Sequence, residues 1–216
     1  MDKVEIVPAI LSVAEEDYSK DIDRYQSALS FKEGWVHIDF MDNIFVPNKS
    51  IKPPVVIKYP TNLHKEAHLM VSHPTEWIDS LIEANFERVI FHIESADDIL
   101  ETIEQIKDMG IKVGLAINGD TPIERLEPFM GKIDTVLIMS IIPGFQGQLF
   151  IQESLDKIKK IKSKNWPVQI AVDGAVNDQN ARELVEAGAD KLIIGSFLLK
   201  GDVDENLERI WEVIKG

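Results

Sequence analysis

The chain has 216 residues, of which 44% are hydrophobic and 28% charged, and these proportions are typical of one globular domain over residues 1–216. The formal net charge of −14 argues against binding to nucleic acids or to anionic membrane surfaces, because both are themselves negatively charged. Cysteine is absent, which excludes disulfide bonds, thiolate nucleophiles and cysteine-ligated metal sites. The first apolar run is too short and too acidic in its flank for a signal peptide or a membrane span, so we expect a cytoplasmic protein.

Short β-rich segments alternate with longer amphipathic segments along the whole chain. This alternation is typical of βα units around a parallel sheet. Eight such units suit a closed barrel better than an open sheet, and no G-x-G-x-x-G dinucleotide-binding motif follows the first strand. We therefore predict the α/β class and a (β/α)8 TIM barrel. The predicted strands are Glu5–Leu11, Trp35–Phe40, Lys65–Leu69, Arg88–His92, Lys112–Ile117, Thr135–Met139, Val168–Val172 and Lys191–Ile194.

Amphipathic patterns between the strands predict one helix after each strand. Residues Asp98–Met109 carry three isoleucines on one helical stripe. Residues Asn177–Ala187 precede Gly188, a typical residue just beyond a helix C-terminus.

Polar side chains occur near the ends of three predicted strands, where barrel enzymes carry their active sites. Period-two alternation places His37 and Asp39 on the same side of the second strand. His68 lies near the end of the third strand, and Asp173 follows the seventh. Taken singly, each could be a buried structural histidine or a capping aspartate. The group of four favours a metal site, because a buried carboxylate needs a partner and this donor set suits Zn²⁺, Fe²⁺, Mn²⁺ or Co²⁺.

The stretch His37–Asn48 reads HIDFMDNIFVPN and resembles the signature H-x-D-x-M-D-G-x-F-V-P-N of the ribulose-phosphate 3-epimerases. The resemblance continues in PAILS at 8–12, HLM at 68–70, MS at 139–140, PGF at 143–145, GQ at 147–148, VDG at 172–174 and GS at 195–196. It implies a TIM barrel of the ribulose-phosphate-binding type. It also implies an isomerase that inverts carbon 3 of a ketose phosphate, most simply converting D-ribulose 5-phosphate to D-xylulose 5-phosphate.

The resemblance further implies a role for each site residue and no organic cofactor. One divalent ion (Zn, Fe, Mn or Co) is held by His37, Asp39, His68 and Asp173, and the two aspartates act as acid and base on opposite faces of the sugar. The implied substrate-binding residues are Ser12, Met41, His68, Met70 and Met139 near the reacting carbon, Gly144, Phe145, Gln146 and Gly147 in a closing loop, and Gly174, Ala175, Gly195 and Ser196 around the phosphate. The family often self-associates, which makes a homo-oligomer compatible with the sequence, but no segment identifies an interface.

The chain departs from the family pattern at five positions. Ala171 replaces a glutamate, which removes one candidate partner for orienting a metal ligand. Ala175 and Gln146 replace glycines, and a positive φ at Ala175 would be strained by its Cβ. Asn43 replaces a glycine and Ile142 a polar residue. We expect these changes to affect rate and substrate choice more than reaction class.

Three alternative functions remain open on these residues. The first is the same chemistry on the six-carbon sugar allulose 6-phosphate. The second is a non-catalytic phosphosugar-binding barrel, against which the retained Asp39 and Asp173 argue, because binding alone needs neither carboxylate. The third, a decarboxylase or aldolase barrel, usually needs a lysine among the acids at the barrel rim; the second strand offers none, and Lys65 lies too far from the rim.

We predict supporting or surface positions for the remaining histidines. His92 and Glu94 share one face of the fourth strand, and we expect them to stand behind the metal ligands or in the core, because the four-ligand set already accounts for one ion. His64 and His73 neighbour polar residues and are expected at the surface.

Overall fold

A computed structural model describes residues 4–28, 30, 34–145 and 147–216. Eight parallel strands hydrogen-bond in chain order, and the eighth pairs with the first to close a barrel. With helices between the strands, this is the predicted (β/α)8 TIM barrel. No α-helix in the described part of the chain combines the length and apolar character needed to span a bilayer.

The strands follow the predicted segments to within one residue at each end. In four of the eight, both ends agree with the prediction. The largest ladder joins the second and third strands, with Trp35 opposite His64 and Met41 opposite Met70, which explains why both strands extend further than predicted. The strands are β1 Glu5–Ile10, β2 Trp35–Met41, β3 His64–Met70, β4 Arg88–His92, β5 Lys112–Ile117, β6 Thr135–Met139, β7 Gln169–Asp173 and β8 Lys191–Ile194.

In the described residues, seven α-helices and two longer 3₁₀ segments alternate with the strands. The α-helices are α1 Glu15–Ser27, α2 Pro53–Lys58, α3 Ile78–Glu83, α4 Ile99–Asp108, α5 Glu153–Ser163, α6 Ala181–Ala187 and α7 Val203–Lys215; the 3₁₀ segments are Pro74–Trp77 and Ile123–Phe129. The expectation of one helix after every strand is correct only if the 3₁₀ segment after β5 is counted. Pro128 lies inside that segment, and a proline lacks the N–H that an α-helix needs there.

Two predicted helices show how side chains set helix ends. The stretch Asp98–Met109 forms α4, and Asp98 caps it by accepting a hydrogen bond from the N–H of Glu101. The stretch Asn177–Ala187 becomes helical only from 181, after a turn in which the Asn180 side chain accepts from the N–H of Asn177. Gly188 ends α6 with a φ of 115°, as predicted.

The core has an outer and an inner layer. Outside the barrel, helices pack on the strands; Ile103 and Ile106 of α4, for example, are fully buried, which stabilises the fold by about 1.5–3 kcal/mol each. Inside the barrel, eight apolar side chains form a separate cluster: Val7, Ala9, Ile90, Ala116, Leu137, Met139, Ala171 and Ile193. This inner cluster fills the barrel, so polar side chains that point inward must gather around it.

Candidate active site

Four side chains that could hold a metal ion converge at the C-terminal mouth of the barrel. His37 and Asp39 come from β2, His68 from β3 and Asp173 from the end of β7. One ligand atom from each lies within 4.8 Å of all the others. Both histidines are fully buried, Asp39 is 6% exposed, and the Asp173 side chain is 15% exposed. Within this cluster, only the two carboxylates therefore have exposed surface.

The donor atoms fit a divalent ion. His37 Nε2 is buried without a hydrogen-bond partner in the described residues and lies 3.4 Å from Asp39 Oδ1. His68 Nδ1 lies 2.8 Å from Asp39 Oδ1 and 3.6 Å from Asp173 Oδ2. Two imidazole nitrogens and two carboxylates directed at one point are the donors that Zn²⁺, Fe²⁺, Mn²⁺ and Co²⁺ accept. An unpaired buried nitrogen is costly, and an ion at this point would satisfy it.

The pKa values of the two carboxylates are shifted in opposite directions. Burial opposes the charge of Asp39, but hydrogen bonds with His37 and His68 lower its pKa well below the usual value. Burial and the nearby negative charge of Asp39 raise the pKa of Asp173 to about 6. Although burial disfavours a charged imidazole, contacts with Asp39 and Glu66 raise the pKa of His37 to about 10. One ionised and one more readily protonated carboxylate lie side by side.

A hydrogen-bonded chain runs behind His68. Its Nε2 lies 3.0 Å from Nε2 of His92, and Nδ1 of His92 lies 3.2 Å from Glu94 Oε2. Burial lowers the pKa of His92 to about 4, so its ring is neutral at pH 7. Glu94 in turn accepts from the N–H of Asn118 at 3.0 Å. His92 and Glu94 thus stand behind His68, in agreement with the expected supporting position.

A second polar contact lies behind His37, and sequence reasoning missed it. Glu66 Oε1 is 2.7 Å from His37 Nδ1, and Glu66 Oε2 accepts from Arg88 Nη1 at 2.8 Å. Glu66 is two residues before His68, so the same alternation that directs His68 inward also directs Glu66 inward. That signal was available in the sequence.

A cavity of about 420 Å³ opens above the four polar side chains. Of the residues predicted to touch metal or substrate, eleven line it: Asp39, Met70, Met139, Gly144, Phe145, Gly147, Asp173, Gly174, Ala175, Gly195 and Ser196. His37 and His68 lie beneath its floor. The structure therefore brings residues from distant parts of the chain to one opening.

Two predicted substrate-binding residues, Met41 and Ser12, stand apart from this wall. Met41 is buried in a small cluster with Met70 and Val46 and does not line the cavity. Ser12 is also absent from the wall; its hydroxyl is buried without a partner among the described residues. Gln146 lies outside the described residues.

The far wall of the cavity is built from the turns after β7 and β8. Gly174 has a φ of 114°, and a Cβ there would lie 2.5 Å from the Ile141 side chain, so only glycine fits. Ala175 has a φ of 53°, which is the strained conformation anticipated for an alanine in place of glycine. In the part of the chain that the structure describes, the N–H groups of Ala175, Val176, Ser196 and Phe197 donate to no protein acceptor. They are free to bind an anion.

The loop after β6 closes one side of the cavity. Gly144 and Gly147 have φ values of 116° and 78°, and the Gly144 carbonyl accepts from the Asn48 side chain at 2.9 Å. This contact joins the β6 loop to the β2 loop. Phe145 is 50% exposed at the rim, and Ile142 is 70% exposed. The loop therefore presents apolar surface at the entrance.

The structure also shows where the other departures from the family pattern and the two remaining histidines lie. Asn43 has a φ of 64°, a conformation that asparagine tolerates better than other residues with a side chain. Ala171 is buried in the inner cluster. His64 and His73 are at the surface, as predicted, and pair with Glu87 and Asp97. Sequence reasoning also missed four polar residues of the cavity wall, which carry no motif: Asn177, Asp178, Gln179 and Lys200.

Comparison with known proteins gives consistent matches in sequence. The model of the ribulose-phosphate 3 epimerase family matches residues 5–199. Ribulose-phosphate 3-epimerase of Chlamydia pneumoniae is 38% identical over 176 residues, covering 78% of this chain and 77% of the relative. Ribulose-phosphate 3-epimerase of Bacillus subtilis (strain 168) is 34% identical over 200 residues, covering 89% of this chain and 91% of the relative.

Comparison of structures supports the fold. The 3-hexulose-6-phosphate synthase from Salmonella typhimurium superposes with a TM-score of 0.71 at 15% identity, covering 98% of this chain and 99% of that one. An identity this low supports the barrel architecture alone. The family match and the curated relatives go further, because they extend over most of the sequence: the chain belongs to the ribulose-phosphate 3-epimerase family.

Proposed function

We propose that this chain is a metal-dependent epimerase that inverts carbon 3 of a ketose phosphate, with D-ribulose 5-phosphate and D-xylulose 5-phosphate as its substrate pair. The observation that carries the proposal is the position of Asp39 and Asp173. They are two adjacent carboxylates beside two buried histidines, at the floor of a cavity whose opposite wall offers free backbone N–H groups.

Epimerisation needs a base on one face of the sugar and an acid on the other. Asp39 and Asp173 supply both groups, each removing or returning the carbon 3 proton according to which epimer is bound. The opposed pKa shifts of the two aspartates suit this exchange, because one group starts ionised while the other takes up a proton more readily. The carboxylates exchange roles in the reverse direction.

His37, Asp39, His68 and Asp173 would hold the divalent ion. Such an ion, when bound, polarises the substrate carbonyl and stabilises the negative charge that develops on an enediolate. The contacts behind His37 and His68 keep the rings oriented. Met70 and Met139 line the cavity beside the acids, where apolar side chains exclude water from the reacting carbon. Ser12 does not line the cavity, but its buried hydroxyl has no hydrogen-bond partner among the described residues, which is consistent with its implied contact to the sugar or to a water.

The phosphate would lie against the turns after β7 and β8. Backbone N–H groups of Ala175, Val176, Ser196 and Phe197 are free there, and such groups bind phosphate whatever the net charge of the protein. Lys200 lines the same cavity and adds one cation to this wall. Gly144, Phe145, Gln146 and Gly147 would close over the bound sugar.

The six-carbon alternative uses the same acids and differs only in the room that the cavity leaves for the sugar. The exposed Ile142 at the entrance, in place of a polar residue, keeps allulose 6-phosphate a second candidate. A non-catalytic phosphosugar-binding barrel would need neither carboxylate, so the retained pair argues against it.

The test uses the purified full chain, stripped of metal and then loaded separately with Zn²⁺, Fe²⁺, Mn²⁺ or Co²⁺. Epimerisation of ribulose 5-phosphate and of allulose 6-phosphate is measured by kcat/KM, together with exchange of the carbon 3 proton in D₂O. We expect activity to depend on the ion and to favour ribulose 5-phosphate. Higher kcat/KM on allulose 6-phosphate would select the alternative substrate. Phosphosugar binding with neither turnover nor exchange under any ion would refute the enzyme assignment.

A further inference from the structure

A fully buried carboxylate lies directly behind His37. Glu66 has no exposed surface, and its two oxygens have different partners: Oε1 is 2.7 Å from His37 Nδ1, and Oε2 is 2.8 Å from Arg88 Nη1. His37 and Glu66 are opposite each other in the β2–β3 ladder, so the sheet itself holds them together. Neither oxygen of Glu66 needs water to be satisfied.

Arg88 is held as firmly as Glu66. Its guanidinium stacks 3.4 Å above the Trp35 ring, its side chain is 7% exposed, and its Nη1 lies 3.9 Å from Glu5 Oε2. A guanidinium only donates hydrogen bonds and stays charged at all ordinary pH values. The oxygen of Glu66 that faces Arg88 must therefore be an acceptor.

These contacts determine which nitrogen of His37 faces the cavity floor. When an ion displaces the hydrogen of Nε2 while Nδ1 donates to Glu66, the lone pair of the ring lies on Nε2, the atom that has no hydrogen-bond partner among the described residues and lies 3.4 Å from Asp39 Oδ1. We infer that Glu66, anchored by Arg88, is a positioning residue that keeps the His37 hydrogen on Nδ1 and leaves Nε2 for the divalent ion. The inference rests on the proposed metal site.

The substitution Glu66→Gln tests this directly, because glutamine keeps the shape of the side chain and changes one acceptor into a donor. Arg88 requires an oxygen, so the NH₂ group of the introduced amide would face His37 Nδ1. An ion on Nε2 requires a hydrogen on that same Nδ1. Two donors would then face each other, and metal binding would have to overcome this conflict.

The experiment measures Zn²⁺ affinity by competition with a chelator for four proteins: the unsubstituted chain, Glu66→Gln, Arg88→Met, and the double variant. We expect Glu66→Gln to weaken Zn²⁺ binding by roughly 10- to 100-fold. The double variant should recover most of this loss, because without Arg88 the oxygen of the introduced amide can turn toward His37. Equal affinity of Glu66→Gln and the unsubstituted chain, or no recovery in the double variant, would overturn the inference.

Glu87→Gln is the matched control. Glu87 forms the same contact, at 2.7 Å, with Nδ1 of the exposed His64, far from the cavity residues. We expect its Zn²⁺ affinity to equal that of the unsubstituted chain. Circular dichroism of each variant checks the fold.

A second measurement needs no substitution. In the Zn²⁺-loaded chain, ¹⁵N NMR of the imidazole nitrogens should assign the metal to His37 Nε2 and a hydrogen-bonded proton to Nδ1. Coordination through Nδ1 would overturn the inference even if Glu66→Gln fails to fold. Absence of divalent-ion binding by the unsubstituted chain would refute the proposed metal site itself, whereas tight binding that is unaffected by Glu66→Gln would refute only the role of Glu66.

Discussion

The Nε2 atoms of His68 and His92 lie 3.0 Å apart, and both rings are completely buried. One of two facing nitrogens must donate and the other accept. His92 Nδ1 faces the carboxylate of Glu94, which only accepts, so His92 donates there and its Nε2 accepts from Nε2 of His68. His68 then keeps a hydrogen on Nε2, and a divalent ion that displaces the hydrogen of Nδ1 would bind the nitrogen that faces Asp39.

Replacement of His92 by phenylalanine should therefore weaken metal binding. The ring is retained in size, but His68 loses the acceptor that fixes its tautomer, and the affinity for Zn²⁺ is expected to fall roughly 10- to 100-fold. Chelator competition measures this. His64→Phe, at an exposed histidine on the same strand as His68, should leave the affinity unchanged. Equal affinities in both variants would show that His92 is only a packing residue.

Substitution of either proposed acid should remove proton transfer on one face of the sugar. Asp39→Asn and Asp173→Asn each keep an oxygen that can contact the ion but remove a proton-transfer group, so we expect epimerisation to fall by at least about 10²-fold. Each variant should still exchange the carbon 3 proton of at most one epimer with D₂O, and the two variants should differ in which epimer that is. Proton NMR follows the exchange. Retention of exchange with the same epimer in both variants would contradict the assignment to opposite faces.

Ala175→Gly should stabilise the protein. Ala175 has a φ of 53°, which costs an L-residue roughly 1–2 kcal/mol, whereas glycine adopts this conformation freely but loses about 0.5–1 kcal/mol through greater chain entropy. The net expectation is a gain of up to about 1 kcal/mol in the free energy of unfolding, measured with denaturant. Ala187→Gly, in α6, is the control and should lower the same free energy by about 1 kcal/mol. A loss of stability in both variants would show that the Ala175 conformation is not strained.

Lys191→Met should also stabilise the protein at neutral pH. Lys191 is 1% exposed, its Nζ makes no hydrogen bond among the described residues, and its nearest acidic oxygen, on Glu5, is 3.8 Å away. A buried ammonium with such weak compensation is unfavourable, and an apolar side chain of similar length is expected to add about 1–4 kcal/mol to the free energy of unfolding.

The pH dependence of this effect has a definite sign. Burial lowers the pKa of Lys191 below 10.5, so the folded protein releases this proton before the unfolded chain does. The cost of the buried charge is fully present below the folded-state pKa and declines as pH rises toward 10.5. The advantage of Lys191→Met should therefore shrink at alkaline pH in urea unfolding. The negative charge of Glu66 partly opposes this lowering of the Lys191 pKa, and a variant that is less stable at pH 7 would show that the Lys191 charge is needed to balance Glu66.

The barrel was predictable because its signals are local. Alternating apolar runs determined the strands to within one residue at each end, as for β4 at Arg88–His92. The helix ends were less accurate. A turn closed by the Asn180 side chain precedes α6, and Pro128, which lacks the N–H that an α-helix needs, lies in the 3₁₀ segment after β5. Average periodicity records neither of these local effects.

The candidate site was predictable in part. Once eight strands are assigned, period-two alternation and the rule that barrel sites lie at strand ends bring His37, Asp39, His68 and Asp173 to one mouth. Glu66 carries the same signal but was missed, because its role depends on Arg88 and His37 in neighbouring strands. Ser12 and Met41 were predicted from the family pattern alone, and the cavity wall does not include them.

The sequence by itself determined the family, the barrel and the side of each strand on which a residue lies, because these depend on residue type and on spacing along one segment. The tertiary structure alone decided which residues touch across strands. His37 meets Glu66, and Asp39 meets His68, only because the β2–β3 ladder has that register. Register and barrel closure are set by the packing of all eight strands and their helices together, and no single segment contains that information.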